Sequence, residues 1–311
     1  MRSVHSPWTN CGNCHFFIIL KITFVLVCTI LISSCDIVNP PIKIPAYIQL
    51  DSFSFETDEK TGFNTHKITD AWIFVNGQQI GVYSIPTNPI PALAEGNAKI
   101  SILAGVYADG ISANRIYYPF YKSYTETKVL EKGKVAKVYP KFRYDSSLKK
   151  PFVYYQDFEK SDSGFSMGRF GNIPLQIASH IPSDPIAAFG NRYAILKATT
   201  ADDIIEYSNN IWVSLNESGM PVYLEFDYKA TCNIEVGIIG RKASGQIQTS
   251  YDLILKPNDN WTKMYVNLTD EVGDFRPERK LKYRFFLRTS SQAGIGNSLS
   301  IDNLRLINFP E

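Results

Sequence analysis

From residue 46 onward the chain is a succession of short segments in which apolar and polar residues alternate, cut by Gly, Pro, Asn and Asp. No stretch sustains the 3.6-residue period of a helix. Tyr47–Phe55 (YIQLDSFSF) alternates, and Ala71–Val75 (AWIFV) runs into Asn76-Gly77, a pair that tolerates positive φ and so favours a two-residue hairpin turn, with QQIGVYSI as the returning strand. Pro86, Pro89 and Pro91 then break any ladder before AKISILAGVY, IYYPFYKSYTETKVL and KVAKVYPKF. A lone strand cannot bury its apolar side, so such a chain has to close sheets on one another. Residues 47–144 are expected to form an antiparallel β-sandwich of about seven strands.

The polar run 145–150 (DSSLKK) stops at Pro151 and reads as a linker. After it come FVYYQDFE, VYLEFDYKA, IEVGII, YDLILK, TKMYVNL, LKYRFFLR and, at the end, SLSIDNLRLINF. Because both ends of this segment are strands, the first and last are expected to pair, as in a jelly roll. The expected fold class is therefore all-β, two antiparallel β-sandwich domains in tandem over 47–144 and 151–311. At 44% apolar and 13% aromatic, the 311 residues supply enough material for both cores.

Ahead of the strands, Ile22–Ile32 reads ITFVLVCTILI, uncharged, preceded by Lys21 and followed by Ser33 and Ser34. It is too short to cross a bilayer and has the form of a secretory hydrophobic region. Ile32-Ser33-Ser34-Cys35 resembles a bacterial lipobox. That resemblance implies that residues 1–34 are a lipoprotein signal peptide and that Cys35 is acylated and becomes the first mature residue. Each buried CH₂ contributes about 0.8 kcal/mol, so two or three chains hold the body on a membrane. An ordinary signal peptide or single anchor helix with an incidental cysteine is the plainer alternative. Residues 35–46 continue with three prolines (DIVNPPIKIPA) and are expected to form an extended tether. The abundance of Asn, Lys, Ile and Tyr in β-rich modules is similar to Bacteroidota envelope lipoproteins, which implies a cell-envelope site at the outer membrane, facing the periplasm or outward.

Lys and Arg total 32 against 30 for Asp and Glu, and Arg2 and Lys21 are the only charged residues among the first 35, so the remainder is balanced. A balanced body has no electrostatic case for nucleic acid. Cys11-Gly12-Asn13-Cys14-His15 matches the pattern of covalent haem attachment but lies before the cleavage site, so no haem is expected. Gly164-Phe165-Ser166-Met167-Gly168 matches a hydrolase nucleophile elbow, which needs a strand-to-helix turn with an acid and then a histidine downstream. The following RFGNIPLQIAS breaks helices, and no acid separates Ser166 from His180, so a loop is expected. Beyond the leader only His66, His180 and Cys232 remain outside Cys35, with no paired spacing, so no zinc is expected. Cys232 lies in a strand-like pattern and is assigned to packing, and the two histidines to solvated loops. Asp202, Asp203 and Glu206 are the acids closest in sequence for a polysaccharide hydrolase, yet loop acids are usually hydrated; the chain is expected to be non-enzymatic.

Two resemblances refine this. VNGQQIGVYSIPTNPIPALAEGNAKISILAG is similar to PEGA-type and carboxypeptidase-regulatory-like sandwiches, which implies a spacer or docking module. The D-F-E at 157–159, L-E-F-D-Y at 224–228, N-D-N-W-T-K at 258–263 and S-I-D-N-L-R-L-I at 300–307 are similar to galactose-binding-like jelly rolls of carbohydrate-binding modules. That implies a structural Ca²⁺ tying the first strand to the last through Glu159 and Asp302 with Asp157, since Ca²⁺ takes six to eight oxygens. Equally, Asp157 and Glu159 are a solvated strand end and Asp302-Asn303 a bend. It also implies a glycan ligand, for which Trp212, Tyr207 and Tyr251 are the available rings. Rings in all-β proteins mostly fill cores, and Trp261 reads as a core plug. The alternative to glycan is protein contact within an outer-membrane uptake, secretion or gliding complex.

Overall fold

In the computed structural model, which describes residues 19–24, 43–57, 65–160, 164–184, 190–273 and 281–309, Asn76 and Gly77 take left-handed φ of 51° and 83°. Val75 pairs with Gln78 across them, and Asn76 Oδ1 accepts the Lys99 amide at 2.9 Å. The turn is thus tied by its own side chain to the neighbouring strand that carries Lys99. The chain divides into two units, Met1–Pro45 and Ala46–Glu311. In the first, residues 19–24 are helical and exposed, and Thr23 Oγ1 donates to the Ile19 carbonyl. Among the described residues no helix is long and apolar enough to cross a membrane. The Cys11–His15 pattern, most of the hydrophobic leader, Cys35 and most of the tether lie outside the described residues.

The second unit is all-β. Its first half contains β1 (Ala46–Leu50), β2 (Ser54–Glu56), β3 (Asp70–Val75), β4 (Gln78–Ser84) and β5 (Ile90–Ala92). These are followed by β6 (Gly96–Tyr107), β7 (Arg115–Tyr117), β8 (Tyr124–Leu130), β9 (Val135–Val138) and β10 (Lys141–Arg143). A sheet ordered β4-β3-β6-β7, with β8 also on β6, faces the ladders β5-β1-β9 and β10-β2. The sandwich is not wholly antiparallel as expected: β1 runs parallel to β9 and β2 parallel to β10. Parallel neighbours need a long crossover, and here nearly the whole domain lies between each pair. Ala46, Ile48 and Leu50 alternate inward against Ile73, Ile100 and Ile102.

The second half contains β11 (Phe152–Gln156), β12 (Phe165–Met167), β13 (Gln176–Ser179), β14 (Arg192–Lys197), β15 (Glu206–Asn209) and β16 (Val222–Ala230). Then come β17 (Ile234–Arg241), β18 (Ile247–Leu255), β19 (Asn258–Asn267), β20 (Lys282–Arg288) and β21 (Ser298–Asn308). One sheet is ordered β13-β14-β21-β16-β19, with β11 also on β21, and the other β12-β15-β20-β17-β18. The first strand does pair with the last. The Ser166 motif lies on β12, paired with Ser208 of β15, rather than in the expected loop; three residues of edge strand supply no strand-to-helix turn.

Between the halves, residues 145–150 fold into turns: the Asp145 amide donates to the Phe120 carbonyl and the Leu148 amide to the Asp145 carbonyl. The six-stranded sheet is covered on both faces. Val222, Leu224, Phe226 and Tyr228 of β16 enter the second core, while Tyr223, Glu225 and Asp227 point the other way and are nonetheless buried. Rings of the first half lie on that face, Tyr118 at 5.2 Å from Tyr223 and 4.9 Å from Tyr265. Tyr223, Tyr265 and Ile307 therefore belong to the core of the first half.

A buried ionic group sits in this joint. Glu225 accepts the hydroxyls of Tyr118 and Tyr144, both at 2.6 Å, and faces Lys263 Nζ at 3.5 Å and Arg305 Nη1 at 3.6 Å. Asp227 stands 3.8 Å from the same Lys263. All four charged side chains are at most 2% exposed. Burial, then the Glu225 charge, pushes the Tyr118 hydroxyl well above the usual phenolic range, so it stays a donor.

Candidate ligand-binding face

Two of the three candidate rings, Trp212 and Tyr251, lie on the outer face of the five-stranded sheet. In β20, Tyr283, Phe285 and Leu287 point into the core, so Lys282, Arg284, Phe286 and Arg288 point outward by the two-residue alternation of a strand. On neighbouring β17 the outward positions include Glu235 and Arg241. Gly237 pairs with Phe286 on one side and Tyr251 on the other, at a register shift against β18. A Cβ on Gly237 would lie 2.6 Å from the Phe286 ring and 2.3 Å from the Ser250 carbonyl. The bare backbone therefore seats Phe286. Tyr251 stands edge-on to that ring at 5.5 Å and is 51% exposed. Arg288 donates to the Tyr251 hydroxyl, packs 4.7 Å from its ring centre, and is paired with Glu235 at 3.0 Å.

Trp212 lies on the same face, because its neighbour Val213 bridges Tyr283 of β20. Its indole carries two guanidiniums, Arg241 at 4.5 Å and Arg284 at 4.6 Å from the ring centre. Arg284 Nη2 donates to the Asn210 carbonyl at 2.5 Å, and Lys282 Nζ to Ser214 Oγ at 2.6 Å. Burial, then the nearby Arg241 charge, lowers the Arg284 pKa. Among the described residues neither Arg241 nor Arg284 has a carboxylate at ion-pair distance. Three strand spacings and one two-residue step put the Trp212 and Tyr251 backbones roughly 16 Å apart.

Tyr207, the third candidate ring, is not on this face. It is buried in the core, its hydroxyl donating to the Ile173 carbonyl at 2.9 Å. Trp261 is not a core plug: it is half-buried on the outer face of the six-stranded sheet, 5.2 Å from His180 and 5.1 Å from Tyr193. His180 is not solvated either. Its side chain is 1% exposed between Asp184 and Asp302, each at 3.2 Å, because two carboxylates compensate the buried ring. His66 rests against Phe53 and Phe55, 5.2 Å from each, and Cys232 packs partly buried against the second core.

Burial alone would lower the His180 pKa, but hydrogen bonds to Asp302 and Asp184 outweigh it and hold it above the ordinary value. The protonated form is then the better folded one. Its stabilisation is complete below about pH 6.5 and is lost as pH rises through the higher folded value. Thermal melts at pH 6.5 and 8.5 are expected to show a fall in the wild type that His180→Gln flattens; parallel curves for the two proteins would contradict this.

The metal candidates have other work. Glu159 Oε1 accepts the amides of Asn191 and Arg192 at 2.6 and 2.9 Å, and Asp157 Oδ1 that of Glu159 at 3.2 Å. Asp302 and the left-handed Asn303 (φ 52°) occupy the irregular register between β16 and β21. Burial raises the Asp302 pKa to about 6. Among the described residues no three His, Cys, Asp or Glu side chains converge. Of the hydrolase acids, Asp203 receives the Thr199 and Thr200 amides and Glu206 that of Phe170, both as local braces. A cleft of about 620 Å³ opens beside the joint, lined by Glu56, Thr57, Arg143, Asp145, Lys150 and Phe152 among others. Residues 58–64, which follow Thr57 on its rim, lie outside the described residues.

No protein-family model matches the chain, and no curated protein does. Solved structures similar to it include the C-terminal family 22 carbohydrate-binding module of Clostridium thermocellum Xyn10B, at 13% identity over 53% of this chain and 96% of that one, with a TM-score of 0.33. A family 29 carbohydrate-binding module matches at 12% identity over 50% of this chain and 92% of that one, TM-score 0.32. The enzymatically active domain of tailspike protein 4 of bacteriophage CBA120 matches at 12% identity and TM-score 0.37, over 56% of this chain but 25% of the tailspike chain. Likenesses this slight carry no inference about what this chain does. Its own geometry defines an all-β protein with a sheet face on which arginines pack against the rings of Trp212 and Tyr251.

Proposed function

We propose that the chain is a lipid-anchored envelope protein without enzymatic activity, which binds glycan through the outer face of the sheet carrying Trp212 and Tyr251. One observation carries the reading: a partly buried indole and a half-exposed phenol, 39 residues apart in sequence, are held on one sheet face by neighbouring arginines. Aromatic plates take the CH faces of pyranose rings, and adjacent N–H groups take their hydroxyls. The mature protein is expected to bind on a broad glycan array, and Trp212→Ala to weaken that binding about 5–10-fold. Tyr207→Phe, a core change, serves as the control. No binding anywhere on the array, or equal binding by Trp212→Ala, would remove the glycan reading.

The anchor rests on Ile32-Ser33-Ser34-Cys35. Labelled palmitate is expected to enter the wild type but not Cys35→Ser, which should leave the membrane fraction. A Cys35→Ser protein that stays membrane-bound and labelled would sink it.

A further inference from the structure

Resting on the glycan reading above, we infer that the ligand is an acidic polysaccharide, one whose sugars carry carboxylate or sulfate groups. The two guanidinium carbons on the Trp212 ring are 4.5 and 4.6 Å from its centre, so they cannot be much further apart than about 9 Å. Two like charges thereby pack on one ring at the sheet face, and burial, then the Arg241 charge, lowers the Arg284 pKa. Arg288, two residues along the same strand face, is neutralised by Glu235. Arg241 and Arg284 have no such partner among the described residues, and Lys282 adds a further positive charge beside them. The indole pre-orients both planar forks, so little freedom remains to be lost on binding.

A guanidinium fork matches a carboxylate or sulfate with two parallel N–H···O bonds, and an anion between the two arginines would turn their repulsion into attraction. Tyr251, roughly 16 Å away across the sheet, is too far to share one sugar with Trp212, which favours a polymer lying across the strands.

The test uses the mature protein and two matched pairs of polymers in affinity electrophoresis at 0.15 M salt: polygalacturonate against its carboxyl-reduced neutral form, and dextran sulfate against dextran. Wild type, Trp212→Ala and the double variant Arg241→Gln/Arg284→Gln are compared, with melting temperatures confirming that each is folded. The expected result is at least a tenfold preference for the charged member of a pair, lost in the double variant. Equal binding of charged and neutral polymers would overturn the inference while leaving glycan binding in place. A charge preference that survives both the double variant and Trp212→Ala would be polyelectrolyte attraction elsewhere on the protein and would overturn it too. Failure to bind any of the four polymers would count against both readings.

Discussion

Glu225→Ala is expected to destabilise the protein by about 3–5 kcal/mol, because it strands Lys263 and Arg305 in a dry joint. Glu225 accepts two tyrosine hydroxyls at 2.6 Å and faces both cations, all nearly inaccessible to water. Its loss leaves Tyr118 with an unmatched hydroxyl and takes from Lys263 its nearer carboxylate and from Arg305 an ion-pair partner. For a unit of this size the melting temperature should drop by roughly 6–15 °C. Urea unfolding measures the difference directly, and a loss under about 1 kcal/mol would show that water or movement relieves the charges. Because desolvation offsets much of the attraction between buried ions, Glu225→Met combined with Lys263→Met and Arg305→Leu is expected to recover much of what the single change loses.

A fragment comprising residues 151–311 alone is expected to aggregate, or to melt at least about 10 °C below the full protein. Removing the first half uncovers Tyr223, Tyr265 and Ile307, which belong to its core, and each such side chain is worth about 1.5–3 kcal/mol when buried. It also opens the ionic group to water while removing the Tyr118 and Tyr144 donors. Size-exclusion chromatography and calorimetry on the fragment provide the check. A monomer melting within a few degrees of the intact protein would mean that the joint contributes little.

The joint marks where legibility from sequence ends. In VYLEFDYKA the alternation of Val222, Leu224, Phe226 and Tyr228 with Tyr223, Glu225, Asp227 and Lys229 identifies the strand and its core face. The same alternation implies water on the other face, and Glu225 and Asp227 are instead buried, because phenols arrive from segments more than 80 residues away and cations from two other strands, β19 and β21. Local pattern cannot announce a partner so distant. The Asn76-Gly77 hairpin was fully legible, since its information is contained in two residues. The parallel pairing of β1 with β9 was not, for it depends on a crossover without its own signal.

The candidate face was half legible. Trp212 and Tyr251 stood out as rings, but the arginines around them did not, although LKYRFFLR carries a usable signal: Lys282, Arg284 and Arg288 alternate with Tyr283, Phe285 and Leu287, so the cations must share the outward side. Tyr207 reads no differently from Tyr251 in sequence. What separates them is that Tyr207 lies on the inward register of β15, with a carbonyl waiting for its hydroxyl, a distinction set by pairing and not by residue type.

The position of β21 bears on when this protein can fold at all. This strand, Ser298–Asn308, pairs with β11, β14 and β16, so the six-stranded sheet has a gap through its middle until β21 itself has been synthesised. It also delivers Arg305 to the joint. A nascent chain stalled short of residue 298 would hold two half-sheets with bare facing edges, a state open to mispairing with other copies.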